Sequence, residues 1–417
     1  DVETALFAEI NNQVSFKSEK ARGVFMDLMR TMYFEGESDG ETSTLSLLRY
    51  QGASKQKDFG KFVVDVLMDD ATKSKFLEMI ENSGNSLDDI VNKTYKQLNM
   101  FKYLKKDREY TPIFREEMKS LYSVMNQDFR NVLDNRADWI FEMEFLISYY
   151  TFIYLSQIAI LFDSDIEERK KKLSFPLFKG AKEAVSIDRD CVAEGWGKIE
   201  RKTKKIFKHL VVLNMLNCHD NSIPYYTYSE LYKLYRENNN LREDMDIAID
   251  FLIDQYTRQH QYDSDIPGEG VHFEEIEYDE DKTDPCKNYK LKVKYLYDCV
   301  SLQLERKKAR RDVVSYIASN YNHVLKMRFV KSWGQLGHMI MISNDDLILM
   351  IKICQSSSDK IDLERGIQIR DLFYEFEARG LCMDGKTQQY IINYLRDINL
   401  IDSKCDSEEA QYVKRIQ

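Results

Sequence analysis

Positively charged residues carry the clearest chemistry in this sequence, because they cluster in a pattern suited to binding phosphate. Residues 305–311 read ERKKARR and residues 326–337 read KMRFVKSWGQLG, so basic residues are interleaved with Phe329 and Trp333. Basic side chains beside aromatic rings can contact phosphates, while the rings can stack on nucleobases or form cation–π contacts. The alternative is that both aromatic residues pack beneath the C-terminal part of the chain. The nucleic-acid contacts predicted in this region are Arg306, Lys307, Arg310, Arg311, Arg328, Lys331 and Trp333.

A second set of polar residues lies on a helix near the C-terminus, which the spacing of Ile391, Tyr394, Leu395 and Ile398 predicts. Gln can form paired hydrogen bonds with adenine, and Lys and Arg can reach guanine or phosphate. Residues 343–417 carry 14 acidic and 10 basic residues, however, so this segment alone should bind DNA weakly, and docking to a protein is the alternative. The candidates on this helix and in the hairpin after it are Lys386, Gln388, Gln389, Arg396, Lys404, Lys414 and Arg415.

No catalytic motif occurs in the structural context that it requires. A P-loop requires Gly-x-x-x-x-Gly-Lys-Ser/Thr after a strand, whereas Gly60-Lys61 is followed by Phe62, and residues 380–387, GLCMDGKT, fit the spacing but lie between two predicted helices. Residues 36–40, GESDG, fit Gly-x-Ser-x-Gly, but they lie in a predicted break between amphipathic helices and not at the end of a strand, as a hydrolase nucleophile does. There is no His-x-x-x-His and no pair of Cys within four residues. The acidic string DEDK at residues 279–282 resembles part of a nuclease metal site, but a charge run of this kind usually forms a solvated loop. We therefore predict a protein that is not an enzyme, with no metal, no cofactor and no small-molecule substrate.

The charge is unevenly distributed along an acidic chain. The formal net charge is −10, which argues against a protein that coats nucleic acid. Residues 169–208 nevertheless contain 13 basic and 5 acidic residues, and residues 290–331 contain 11 and 3. Between them, residues 262–284 contain 10 acidic residues and one Lys. Such blocks are usually solvated faces, but two basic blocks also predict a local anion-binding surface.

One apolar segment is expected to hold the N-terminal half together. Residues 139–162 contain an uncharged run of 18 residues, from 145 to 162, which is long enough for a transmembrane helix. Polar residues interrupt this run, and its tyrosines are spread along it rather than gathered at its ends, so we interpret it as the buried core helix of a soluble protein. The 16 Gly and 5 Pro among 417 residues predict a mainly α fold. Seven scattered Cys and the lack of an apolar N-terminal signal predict a cytoplasmic location.

The C-terminal half contains a pattern of three helices and a hairpin, which describes a winged helix. Ser343 and Asp384 are predicted helix N-caps, Gly380 is a predicted left-handed C-cap, and residues 400–416 are the predicted hairpin. A looser copy precedes it, in which the alternating residues 289–295, YKLKVKY, are predicted to be a basic strand.

Paired with an acidic arm, this basic strand would form a charged hairpin. Cross-strand ion pairs would then bring Lys290, Lys292 and Lys294 close to three glutamates. We predict these acidic residues as a partner-binding surface: Glu274, Glu275 and Glu277.

Three ranges follow as predicted domains. Residues 1–175 form a multi-helical N-terminal domain around the buried central helix, and residues 185–300 form a helical region with a winged-helix-like unit and the acidic/basic hairpin. Residues 301–417 form a basic linker helix, spanning about 297–329, followed by a C-terminal winged helix.

Several segments resemble the DNA phosphorothioation-dependent restriction protein family DptG. The resemblance is sharpest at DLFYEFEARG (371–380), TQQ (387–389) and DSEEAQYVKRI (406–416), and it extends to the turn at 329–337 and to YYTFIYLSQ (149–157). It implies a prokaryotic defence protein whose system marks its own DNA with sulfur and attacks unmarked DNA. It also implies DptF-like and DptH-like partners, to which the nucleotide-driven steps are assigned.

Two hypotheses follow for the function. One is a non-catalytic subunit that contacts duplex DNA, bridges the partner ATPases, or does both. The other is a pure protein scaffold whose winged-helix units dock partners without touching DNA. A nuclease hidden in the acidic segment is a third and weaker alternative. No membrane contact is expected.

Overall fold

Helices make up most of this protein. The computed structural model describes residues 2–30, 57–81, 110–134, 139–162, 195–217, 225–261, 271–273, 283–306, 308–332, 337–362, 364–401 and 411–416. These ranges contain fourteen α-helices and four strands of two or three residues. The predicted mainly α fold class is therefore confirmed.

Contacts between residues divide the chain into two compact units. Unit 1 comprises Asp1–Ile153, Phe175–Lys179 and Ile342–Gln417, and unit 2 comprises Tyr154–Ser174 and Gly180–Met341. This grouping differs from the three ranges predicted from the sequence, because the C-terminal residues group with the N-terminal region.

The N-terminal part of unit 1 is a series of helices. Their bounds are α1 Val2–Gln13, α2 Glu19–Arg30, α3 Lys57–Phe62, a π-helical turn Val63–Leu67, α4 Asp70–Glu81 and α5 Lys119–Asp134. The side chains of Val63, Leu67, Phe76 and Phe129 are completely buried. Burial of these apolar side chains, rather than helix propensity alone, stabilises helices as short as these.

A carboxylate at the start of α4 connects it to α5. Asp69 accepts a hydrogen bond from the backbone N–H of Thr72 at 2.8 Å and one from Arg130 at 2.8 Å. Burial by itself raises the pKa of Asp69, but the hydrogen bonds from Thr72 and Arg130 outweigh burial and hold that pKa below its ordinary value. This carboxylate therefore stabilises the fold in its ionised form.

The predicted core helix is present as α6, Trp139–Phe162. Its residues up to Ile153 belong to unit 1 and the remainder to unit 2. The segment Glu142–Phe162 is long and apolar enough to cross a membrane, but 83% of its most apolar stretch is buried inside the molecule. Such burial is typical of the core helix of a soluble protein, as predicted.

The C-terminal part of unit 1 begins with α12. Both N-caps that were predicted in this part are confirmed. The elements are α12 Asn344–Ser357, β3 Ile367–Gln368, α13 Ile369–Ala378, α14 Gly385–Asp397 and β4 Tyr412–Val413. Ser343 accepts from the backbone of Asp346 at 3.0 Å, and Asp384 accepts from the backbone of Thr387 at 2.8 Å. Gly380 has φ +87°, the left-handed conformation predicted for it.

The strands of this region are antiparallel. Ile367 pairs with Val413 and Gln368 pairs with Tyr412, and Ile401 forms an isolated bridge to Val413. The predicted hairpin at 400–416 is therefore described only at its two ends, because residues 402–410 lie outside the described residues.

A buried ion pair connects α13 to α5 within unit 1. Arg379 donates from Nε to Asp128 Oδ2 at 2.8 Å and from Nη2 to Asp128 Oδ1 at 2.7 Å. Ser357 donates to the same carboxylate at 2.7 Å, and Tyr150 also donates to it. Arg379 donates further to Glu375 at 2.7 Å. Paired and hydrogen-bonded charges can be buried, whereas isolated ones are very costly.

Unit 2 consists mainly of long helices, several of which pack around an aromatic and aliphatic core cluster. They are α7 Trp196–Leu216, α8 Tyr228–Glu237, α9 Asn239–His260, α10 Pro285–Arg306 and α11 Lys308–Phe329, followed by β1 Val330–Ser332 and β2 His338–Ile340. The core contains Val212, Tyr235, Ile249, Tyr289 and Val293. Thr227 and Glu230 form a capping box at the start of α8, which fixes where that helix begins.

The predicted basic strand at 289–295 is wrong, because these residues belong to helix α10. The buried residues Tyr289, Val293, Leu296 and Val300 recur at helical spacing over three turns, and this longer period prevails over the short alternation of lysines. Lys292 pairs instead with carboxylates of α9, at 2.7 Å from Asp250 and 3.6 Å from Asp246.

The predicted acidic/basic hairpin is therefore not formed by this segment. Glu274, Glu275 and Glu277 lie outside the described residues. The predicted linker helix at about 297–329 is described in two parts, the end of α10 and the whole of α11, and Lys307 between them lies outside the described residues.

Candidate nucleic-acid interface

Helices from the two basic blocks of the sequence lie against each other in unit 2. Thr203 of α7 donates to Asn322 of α11 at 2.8 Å, and the two helices form the walls of an open groove of about 610 Å³. Tyr321 fixes α11 from its other side by donating to the backbone oxygen of Leu155 at 2.6 Å, and burial raises the pKa of Tyr321 well above its ordinary value. The groove is lined by Glu200, Lys204, Lys208, Leu304, Glu305, Arg311, Val314, Ser315, Ala318, Ser319, Asn322, His323 and Lys326.

Two cations of the groove are already compensated by carboxylates. Lys208 donates to Ser301 at 2.8 Å and forms an ion pair with Glu305. Lys326 lies 3.5 Å from Glu200 and 5.2 Å from the ring centre of Trp196. Their main effect is to hold the helices around the groove together.

Two other cations of the groove are exposed and face solvent. Lys204 of α7 and Arg311 of α11 both have exposed side chains, and neither forms an ion pair with another described residue. Together they give the groove an uncompensated positive charge. Of the predicted contacts whose side chains the structure describes, Arg311 is the one that lines this groove.

The predicted residues near the end of α11 are on the surface or stack on their neighbours. Lys331 lies on β1 with an exposed side chain, opposite Met339 in the β1–β2 pair. The guanidinium of Arg328 lies 5.8 Å from the ring centre of Phe329. Phe329 itself is only 1% exposed, so its ring is buried and not available to stack on a base.

Several predicted contacts have no described side chain. Arg306 is the last residue of α10 and Arg310 lies in the first turn of α11, so both belong to helix ends in the basic region. Lys307 and Trp333 lie outside the described residues.

The predicted base-reading residues of α14 lie in unit 1 and interact mainly with one another. Gln389 donates to Asn393 at 3.1 Å, and Arg396 donates to the same oxygen at 3.3 Å. Gln388 donates to the backbone oxygen of Met383 at 3.3 Å. Lys386 is exposed at the start of the helix. Base contacts would have to replace these weak surface hydrogen bonds.

The predicted wing residues are described only in part. Lys414 and Arg415 follow β4 with exposed side chains, so both cations face solvent. Lys404 lies outside the described residues.

Sequence analysis missed the contribution of α7 to the groove. Lys204 and Lys208 belong to the basic block 169–208, and that block was the only signal in the sequence. Local sequence could not show that this block faces α11, since Thr203 and Asn322, which join the two helices, lie 119 residues apart in the chain.

Among the described residues, no group of three or more His, Cys, Asp or Glu side chains is placed to hold a metal ion. A comparison of the chain with protein-family models found no match, and a comparison with curated proteins found none either. The resemblance to the DptG family therefore stays a prediction.

Proposed function

We propose that this chain is a non-catalytic, cytoplasmic subunit of a phosphorothioation-dependent DNA restriction complex. In this proposal it contacts DNA phosphates through unit 2 and works with DptF-like and DptH-like partners, which supply the nucleotide-driven steps. The restriction role rests on the resemblance of the sequence, and the DNA contact rests on the arrangement of charges.

One observation carries the DNA contact: exposed cations from two separate basic blocks lie in one unit. Arg201 and Lys204 are exposed on α7, Arg311 is exposed on α11, and Lys331 is exposed on β1. In a chain with a net charge of −10, such a local excess of positive charge is what phosphate binding requires.

The C-terminal elements support a second contact. We propose that helix α12, strand β3, helices α13 and α14, and strand β4 act as a winged helix, in which the third helix reads the major groove. Since this segment is acidic overall, we propose that it positions the DNA and contributes less affinity than unit 2.

Fluorescence anisotropy of labelled duplex DNA across a salt series tests the proposal. The test variant combines Arg201→Gln, Arg311→Gln and Lys331→Gln. The slope of log affinity against log salt should become shallower by about 0.9 for each phosphate that is no longer neutralised, or by nearly three in total. A control removes the same charge from exposed lysines elsewhere: Lys17→Gln, Lys119→Gln and Lys233→Gln.

Equal salt slopes for the test variant and the control would contradict this DNA contact. Plain and sulfur-marked duplexes are measured side by side, because a difference between them would identify this chain as the sensor of the mark. Equal binding would assign sensing to a partner.

An exposed apolar stripe on α11 favours a second candidate, the docking scaffold. Val313, Tyr316, Val324 and Met327 recur at helical spacing and are 49%, 68%, 39% and 72% exposed. An apolar helix face of this kind is a common docking surface for a partner helix. A pull-down with DptF-like and DptH-like proteins tests it, with Tyr316→Ser plus Met327→Ser expected to abolish capture. Intact capture by this variant would exclude the stripe as the docking surface.

A further inference from the structure

We propose that the groove between α7 and α11 binds a free nucleoside diphosphate or triphosphate, without turning it over. Its volume of about 610 Å³ lies within the range of about 300–1,000 Å³ that is usual for small-molecule sites. A duplex lies along a surface, whereas a groove of this size suits a ligand as small as a nucleotide. The inference depends on the groove alone and does not require the chain to contact DNA.

Two uncompensated cations line the groove, one from each helix. They are Lys204 on α7 and Arg311 on α11, and neither is compensated by a carboxylate among the described residues. Arg binds phosphate with two parallel hydrogen bonds, and Lys binds it as a point charge. Each cation can therefore attract a charged group of a ligand that lies along the groove.

Hydroxyl groups continue the polar lining along α11. Ser315 and Ser319 follow Arg311 at intervals of four residues, so all three lie along one side of the helix and line the groove. Asn322 lies further along, and its Oδ1 already accepts from Thr203, which leaves Nδ2 as its donor. These groups can donate hydrogen bonds to phosphate oxygens or to a ribose.

The remaining lining is apolar and suits the uncharged end of a nucleotide. Leu304, Val314 and Ala318 contribute aliphatic surface, and Ala318 is 5% exposed. Ligand sites typically combine such surface with a few placed polar groups. A ligand with a charged end and a flat, weakly polar end matches this lining better than a bare inorganic anion does.

The walls of the groove are held in place by polar contacts between helices. Thr203–Asn322 and Lys326–Glu200 connect α7 to α11, and Lys208 connects α7 to Ser301 on α10. Because these contacts fix the helices relative to one another, little ordering is needed on binding, and less binding energy is lost.

Isothermal titration calorimetry with the full chain tests the proposal. ADP and ATP are expected to bind, inorganic pyrophosphate to bind more weakly, and adenosine not to bind. Lys204→Gln and Arg311→Gln should each weaken ADP binding by about ten-fold, which is the usual effect of losing one hydrogen-bonded charge. Arg201→Gln, an exposed change on the same helix outside the groove lining, should leave ADP affinity unchanged.

The outcomes separate this inference from the DNA contact. Absence of ADP binding at low salt would overturn the inference even if DNA binds. An equal loss of ADP affinity in Arg201→Gln and Lys204→Gln would also overturn it, because binding would then follow the general charge. Equal affinity for pyrophosphate and ADP would overturn the role of the apolar lining. Circular dichroism spectra of all variants are compared with that of the wild type, to detect variants that do not fold. The titration of the wild-type protein with ADP tests the proposal even if a variant does not fold.

Discussion

The ion pair between Asp128 and Arg379 should be the most sensitive polar contact in unit 1. Their side chains are 0% and 1% exposed, and two hydrogen bonds of 2.7 Å and 2.8 Å join them. Asp128→Asn would remove the negative charge and leave the guanidinium with Glu375 as its remaining charged partner, at 2.7 Å. Breaking a buried pair from one side costs about 3–5 kcal/mol. That is a large part of a typical total stability of about 5–15 kcal/mol.

The reverse change should cost at least as much, because it leaves the buried carboxylate of Asp128 without the cation that faces it. In Arg379→Met the carboxylate would keep the hydroxyl donors of Ser357, at 2.7 Å, and Tyr150. The double variant Asp128→Leu plus Arg379→Met removes both charges and leaves two hydroxyls without their acceptor, at about 1–3 kcal/mol each. We therefore expect the double variant to be less destabilised than the sum of Asp128→Asn and Arg379→Met.

Urea unfolding followed by circular dichroism measures these free energies. Hydrogen exchange of peptides from α5 and α13 localises the loss to unit 1. A matched control is Arg130→Met on the same helix as Asp128, because its ion pair with Asp69 has side chains 35% and 30% exposed and should contribute about 1 kcal/mol or less.

The reasoning would be refuted if the two single changes each cost no more than this control. It would also be refuted if the cost of the double variant equalled the sum of the single costs within about 0.5 kcal/mol, because independent sites behave in that way.

Three further predictions concern backbone, thiol and carboxyl groups. Gly380→Ala should lower the free energy of unfolding by about 1–2 kcal/mol, because φ of Gly380 is +87°. Gly366→Ala should lower it more, because the added Cβ would lie 2.0 Å from a backbone oxygen of β4. Urea unfolding measures both changes. Burial raises the pKa of Cys299 to about 11 and that of Cys354 to about 12, so neither thiol should react with iodoacetamide at about pH 8 until the protein unfolds, as peptide mass spectrometry would detect. The depressed pKa of Asp69 gives stability that is present above its unfolded pKa of about 3.9 and lost as pH falls through the folded pKa. Asp69→Asn should therefore be less stable than wild type at neutral pH, and thermal melts should converge below about pH 4.

Local signals predicted much of the helical structure correctly. The apolar spacing of Leu347, Met350, Ile351 and Cys354 predicted helix α12, and all four side chains are buried. The left-handed Gly380 was also predicted correctly. These features depend on neighbours within a few residues, so the sequence contains all the information they need.

The wrong strand at 289–295 shows where a short window fails. Three lysines alternate with Leu291, Val293 and Tyr295. A stretch of seven residues is too short to distinguish the period of 2 of a strand from the period of 3.6 of a helix, and it does not show that a lysine side chain pairs with another helix. Lys292 is 8% exposed because its ammonium group pairs with Asp250, a residue that the local pattern cannot reveal. The Asp128–Arg379 pair was missed for the same reason, since 251 residues separate its members.

The groove follows from a relation that neither basic block contains by itself. On α7, Ile199, Thr203 and Ile206 are buried, so Lys204, next to Thr203, lies at the edge of the buried face, where the helix meets its neighbour. On α11, Asn322 is also buried, and the hydrogen bond from Thr203 to Asn322 joins the buried face of α7 to that of α11. Net charge predicts that such lysines are solvated, but helix packing decides which of them line a groove between two helices. Arg201 lies outside the groove lining and contributes only to the general charge of the surface, whereas Lys204 lines the same groove as Arg311. Nucleotide affinity should therefore depend on Lys204 and not on Arg201, while DNA affinity should depend on both.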